Sequence, residues 1–102
     1  MIKVSVFYPN SKGARFDMAY YTSKHMPMVK RLVTSCKSIA AEQGVAGGAP
    51  GTPATYIAIG HLTFDSVEDF QSGFTPHAEQ ILGDIPNYTN VEPVLQISKI
   101  TL

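Results

Sequence analysis

The 102-residue chain predicts an α+β, ferredoxin-like fold, a four-stranded antiparallel sheet with two helices on one face. Three observations carry this reading. Residues 2–8 and Tyr56–Phe64 alternate with the period of a strand. Two longer stretches, each opening on a capping residue, repeat apolar side chains at helical spacing. Their order along the chain, with two weaker strands, is βαββαβ.

In residues 2–8, Ile2, Val4, Val6 and Tyr8 alternate with Lys3, Ser5 and Phe7, which gives one clearly apolar face. Pro9-Asn10-Ser11-Lys12-Gly13 is turn chemistry. Asp17 then stands as the N-cap of a helix running to about Thr34. On it, Met18, Tyr21, His25, Met28, Val29 and Leu32 form a single stripe with spacings of 3, 4, 3, 1 and 3. Pro27 removes one hydrogen bond and clashes with the Ser23 carbonyl, so the helix is expected to kink or break there.

Residues 38–45 read as a weak strand, and residues 46–54, with three glycines and two prolines, as a loop. Tyr56–Phe64 is the clearest strand. Ser66 reads as the next N-cap, with Asp69 three positions on as an approximate capping box. Val67, Phe70, Phe74, Ala78, Ile81 and Ile85 mark the second helix, interrupted by Pro76 and ended by Gly83-Asp84-Ile85-Pro86-Asn87. Residues 91–102 form the last strand. Residues 1–102 are thus expected to make one domain, with 44% hydrophobic residues to fill a single core.

Charge and composition narrow the partners. The net charge is zero and there is no Lys/Arg run, which argues against nucleic acid and anionic membrane surfaces. No apolar run approaches the roughly 18 residues of a spanning helix, and Met1-Ile2-Lys3-Val4 reads as a strand instead of a leader. The lone Cys36 excludes an internal disulfide and fits a reducing compartment, so a soluble, cytoplasmic protein is expected. The sheet adds a partner of its own. In Tyr56–Phe64, one face carries Tyr56, Ala58, Leu62 and Phe64, and the other Ile57, Ile59 and His61. Only one face can meet the helices, so the second is expected to pack on another copy, sheet to sheet, as a homodimer.

The stretch Phe16-Asp17-x-x-Tyr20-Tyr21-x-x-x-His25-x-Pro27 resembles the signature of the EthD family, named for an ethyl tert-butyl ether degradation protein. Leu62-Thr63-Phe64-Asp65-Ser66-Val67-Glu68-Asp69-Phe70 and Asp84-Ile85-Pro86-Asn87-Tyr88-Thr89-Asn90 resemble the same family, in the right order. The resemblance implies a dimeric α+β barrel. It implies membership of a superfamily of cofactor-free monooxygenases, muconolactone-type isomerases, polyketide cyclases and haem-degrading enzymes. It also implies an association with the breakdown of ethers and other small organic compounds.

His25 is the leading candidate for chemistry. Its imidazole titrates near neutrality, and a place on an apolar stripe favours the neutral, basic form. Tyr21 lies one turn earlier and Asp17 one turn before that, so a chain Asp17–Tyr21–His25 would aim the imidazole at a cavity between helix and sheet. The packing alternative is that His25 satisfies a carbonyl freed by Pro27. Met28 suits an adaptable apolar pocket or a filled core. Tyr20 points away from Met18, toward solvent, unless the Pro27 kink or a partner buries it. His77 sits at the edge of the second helix's stripe, where it either lines the cavity or is solvated. His61 lines the pocket if its strand face meets the helices, and the dimer interface if it does not.

No HExxH, CxxC, GxGxxG, phosphate loop or Gly-x-Ser-x-Gly elbow is present, so no metal, nucleotide or other cofactor site is expected. Three readings follow. One is a cofactor-independent isomerase, dehydratase or monooxygenase that moves a proton on a hydrophobic small molecule through His25, with Tyr21 as hydrogen-bond partner and Asp17, Tyr20, Met28, His61 and His77 around the substrate. Another is a non-catalytic carrier or accessory protein for a partner oxygenase. The last is haem binding with His25 as axial ligand.

Overall fold

Strand β1, Ile2–Pro9, is the spine of the sheet. Strand β2 is Ser38–Gln43, β3 is Tyr56–Phe64 and β4 is Val94–Lys99. In the computed structural model, which describes residues 1–102, the sheet runs β2-β3-β1-β4 with every neighbouring pair antiparallel. That is the order expected of the βαββαβ unit. Val4 pairs with Leu62 on one side and Ile97 on the other, and Val6 with Gly60 and Leu95. The helices cover the face carrying Val4, Tyr8, Ala58, Leu62 and Phe64. Val4 and Phe64 are fully buried, each worth about 1.5–3 kcal/mol over an exposed side chain.

The helices obey their caps. The Asp17 carboxylate accepts the Tyr20 N–H at 3.0 Å, and the Ser66 hydroxyl accepts the Asp69 N–H at 3.1 Å. The first helix is continuous through Pro27, in three parts: Met18–Tyr20, a π-helical turn Tyr21–His25, and Met26–Leu32. Proline cannot donate to the Ser23 carbonyl and would clash with it, and the π turn takes up the misfit by closing the Met26 N–H on the Tyr21 carbonyl. One additional residue fits in that turn. His25 and Met26 are therefore both buried, and the stripe continues through Val29 to Val33. The second helix is Val67–Phe74 and Ala78–Gly83 joined by a 3-10 turn, Thr75–His77, that contains Pro76.

Two strands are shorter than their sequence patterns. β2 stops at Gln43 instead of Val45, because the glycine-rich loop begins there, although the Gly44 N–H still reaches the Ile57 carbonyl at 2.9 Å. β4 begins at Val94 instead of Val91, because Pro93 has no N–H for the ladder, while Val91 packs into the core. No helix is long and apolar enough to cross a membrane.

Between the second helix and β4 the chain makes a 3-10 turn, Ile85–Asn87, and then runs back along the entry to the first helix. Phe16 and Thr89 form an antiparallel bridge, and the Asp17 N–H donates to the Tyr88 carbonyl at 2.8 Å. The Thr89 hydroxyl donates to the Arg15 carbonyl at 2.6 Å, and the Arg15 N–H donates to the Asn90 side-chain oxygen at 2.8 Å. This stitching places Asp84 and Tyr88 against His25.

Candidate functional site

The site is a hydrogen-bonded row that enters a cleft between the helices and the sheet. His25 Nδ1 lies 2.9 Å from Asp84 Oδ2. Asp84 Oδ1 accepts the Tyr20 hydroxyl at 2.7 Å and the Asn87 amide at 2.9 Å. On the far side of the ring, His25 Nε2 is 3.3 Å from the Tyr88 hydroxyl, which is 2.8 Å from the Tyr8 hydroxyl. The order is Tyr20–Asp84–His25–Tyr88–Tyr8, from an exposed flank to the interior.

Charge states follow from these contacts. Partial burial pushes the Asp84 carboxyl up, but hydrogen bonds from Tyr20, Asn87 and His25 outweigh it and hold the group below the ordinary carboxylate range. An ionised Asp84 accepts only. Burial lowers His25 below the usual histidine value, against the opposing pull of Asp84, so the ring is neutral at pH 7. The one ring proton then sits on Nδ1 and donates to Asp84, and Nε2 keeps its lone pair. Burial pushes the Tyr8 and Tyr88 phenols far above the ordinary tyrosine range. Tyr88 therefore donates to Nε2, and Tyr8 donates to the Tyr88 oxygen.

The cleft around this row measures about 50 Å³. Its other walls are apolar, with Val4, Val6 and Leu62 from the sheet, Met26 and Val29 from the first helix, and Phe70, Phe74 and Ile81 from the second. Leu82 and Leu95, 49% and 47% exposed, stand at its mouth. No Lys, Arg, Asp or Glu lines it. His25 Nε2, the atom an axial haem would need, accepts from Tyr88 here, and a tetrapyrrole is far larger than this cleft. No three His, Cys, Asp or Glu side chains converge on a point that would hold a metal ion.

Of the residues singled out in the sequence, His25 and Tyr21 line the cleft. Tyr21 stacks on His25 with the rings 14° from parallel and 5.6 Å apart, and its hydroxyl lies over Gly60. The chain Asp17–Tyr21–His25 does not form. The Asp17 carboxylate folds back on the Tyr20 N–H as a helix cap, and Asp84 takes the place beside the imidazole. Tyr20 reaches the site through Asp84 instead of touching the cleft. Met28 lies outside it, with its sulfur 3.9 Å from the Gln80 amide. His77, half-buried in the 3-10 turn, is not on its wall.

His61 is on the opposite face of the sheet, where Nδ1 is 3.1 Å from the Ser5 hydroxyl and Nε2 is 3.0 Å from Glu42. The strand alternation that buries Leu62 and Phe64 turns His61 away from the helices. The link of Tyr8, Asp84 and Tyr88 to His25 was not predicted. For the last two a signal existed: both lie in the stretch 84–90 that resembles the same family as the His25 stretch. For Tyr8 the pattern shows only a core position.

Stability should report the His25 environment. A histidine whose folded value is below its ordinary 6.5 destabilises the fold as pH falls through 6.5 toward the folded value, because the unfolded chain binds the proton first. Asp84 adds a second loss at lower pH, as pH falls through its ordinary 3.8 toward its depressed folded value. Urea midpoints at pH 8, 6.5 and 5 should decline in the wild type and less in His25→Gln. Parallel declines in the two proteins would remove His25 as the cause.

The EthD domain model matches residues 14–92. That span holds the whole row except Tyr8. An EthD-like protein of known structure from Ralstonia eutropha JMP134 is 47% identical; the match covers 99% of this chain and 92% of that one, with a TM-score of 0.94. An ethyl tert-butyl ether degradation family protein from Bacillus halodurans C-125 superimposes with a TM-score of 0.67 at 14% identity, over 99% of both chains. A dimeric ferredoxin-like protein of unknown function from Thermobifida fusca YX does so at 0.64 and 14%, over 97% of this chain and 90% of that one. At such identities the likeness bears on the fold alone. No curated protein matches the chain.

Proposed function

Since the chain belongs to the EthD family, we propose that it acts on hydrophobic small organic molecules by moving a proton through His25, without a cofactor. The observation that carries this is the neutral imidazole whose Nδ1 is held by Asp84 while Nε2 stands at the wall of an uncharged cleft. Positioned acid–base groups of this kind contribute about 10²–10⁴-fold to rate. The cleft is narrow, so a substrate enters by displacing the side chains at its mouth, Leu82 and Leu95.

The working unit is a homodimer packed through the sheet face that the helices leave open, where Phe7, Ile57 and Ile59 lie. The dimeric ferredoxin-like relative supports that assembly. A carrier or accessory role is the second reading, and it is favoured by the small volume of the cleft, which grips only part of a ligand.

Native mass spectrometry of the purified chain should show a dimer that retains a neutral organic adduct. Turnover of that compound should fall at least about 10²-fold in His25→Ala, with binding largely retained. An adduct that is bound but never turned over would establish the carrier reading. A bare monomer would refute both the dimer and the bound small molecule.

A further inference from the structure

Resting on that reading, we propose that the site takes a neutral carbonyl compound and shifts a proton on the carbon next to the carbonyl, with His25 Nε2 as the base and the Tyr88 hydroxyl as the donor to the carbonyl oxygen. Two facts select this class of substrate. The polar side chains that line the cleft are a single base and three phenols, of which Tyr8 and Tyr88 are hydrogen-bonded to each other, on otherwise apolar walls. An ionised substrate would lose its hydration without gaining a counter-charge, whereas a neutral molecule with one oxygen loses little. Base and donor are also close, 3.3 Å apart, so they reach a carbonyl oxygen and the hydrogen on the adjacent carbon of one molecule.

In the step itself, the C–H bond beside the carbonyl breaks and its proton forms a bond to His25 Nε2. The electron pair moves into a new carbon–carbon double bond, and the carbonyl oxygen takes up the negative charge. The Tyr88 O–H turns from Nε2 to that oxygen, while Tyr8 continues to donate to the Tyr88 oxygen and keeps it polarised. Donors aimed at developing charge in a dry site are worth more than in water. The proton on Nε2 then returns to the same carbon, or to the third carbon along in an unsaturated substrate, which moves the double bond. Nothing is oxidised or reduced, and no second reactant is consumed. Asp84 is a positioning residue, since it touches only the far side of the ring.

The test is hydrogen exchange on simple ketones. The full chain is incubated in D2O with cyclohexanone and with 2-tetralone, and loss of the α-hydrogen signal is followed by proton NMR, with the His25 ring signals as the readout of binding. Exchange should exceed the buffer rate at least 100-fold and return to it in His25→Gln. It should fall on the order of 10²-fold in Tyr88→Phe. The acid limb of its pH profile should lie below the ordinary histidine value. Should Tyr88→Phe fail to fold, Tyr8→Phe carries the test with a several-fold slowing. Binding with exchange at the buffer rate overturns the proton shift and leaves a small-molecule site. Ketones that leave the His25 signals unmoved overturn this assignment, whereas the proposed function is decided by the adduct that native mass spectrometry retains.

Discussion

Asp84→Asn is expected to slow proton transfer by about 10²–10⁴-fold while leaving the fold in place. Asp84 Oδ1 accepts from Tyr20 and Asn87, and an asparagine oxygen in that position keeps both bonds. The amide nitrogen then faces His25 Nδ1 as a donor. The imidazole answers by carrying its proton on Nε2, and the lone pair that faced the cleft is lost. The variant also removes the one charge that pulls the His25 value upward, so the ring stays neutral and charge cannot explain the loss. Nitrogen chemical shifts of the His25 ring separate the two tautomers. A tautomer swap accompanied by a rate loss supports the geometry. A swapped ring with unchanged exchange would show that Nε2 is not the base. An unswapped ring would show that Asp84 does not select the tautomer.

Local rules reached the fold and, of the candidate site, the His25 helix but not the partners that surround the imidazole. The alternation of Tyr56–Phe64 marked a strand with the observed bounds, and Asp17 and Ser66 marked both helix starts, because period and capping are set within a few residues. Pro27 marked a disturbance, and its form as a π turn depends on burial of both His25 and Met26, which the linear pattern does not contain. His25 was legible as an imidazole on an apolar stripe. Its partners were not, since Asp84 and Tyr88 are 59 and 63 residues away and Tyr8 and Tyr88 are 80 apart. Helical spacing offered Asp17 instead, and the N-cap claimed that carboxylate. His61 went to the outer face because strand parity is strict, and the parity could be assigned only once Leu62 and Phe64 were seen to be buried.

The contact between Tyr21 and Gly60 should show the largest stability effects in the molecule, and of opposite sign in combination. Tyr21 is 1% exposed, stacked on His25 and edge-on to Tyr8 and Phe16. Truncation in Tyr21→Ala should cost about 3–5 kcal/mol, a large share of the 5–15 kcal/mol typical of a small domain. Gly60 lies mid-strand in β3, opposite Val6, and the Tyr21 hydroxyl occupies the space its side chain would take. A methyl group there meets that hydroxyl, so Gly60→Ala should cost about 1–3 kcal/mol through overpacking, although alanine suits a strand better than glycine. Tyr21→Phe removes the atom that clashes and leaves the ring carbon behind it 3.2 Å from the added methyl. The double variant should therefore be more stable than the sum of the two single losses, by about 0.5–3 kcal/mol of coupling. Urea unfolding of the four proteins measures it. Strict additivity would mean that Tyr21 has room to move away, and that the glycine is not what seats the ring against His25.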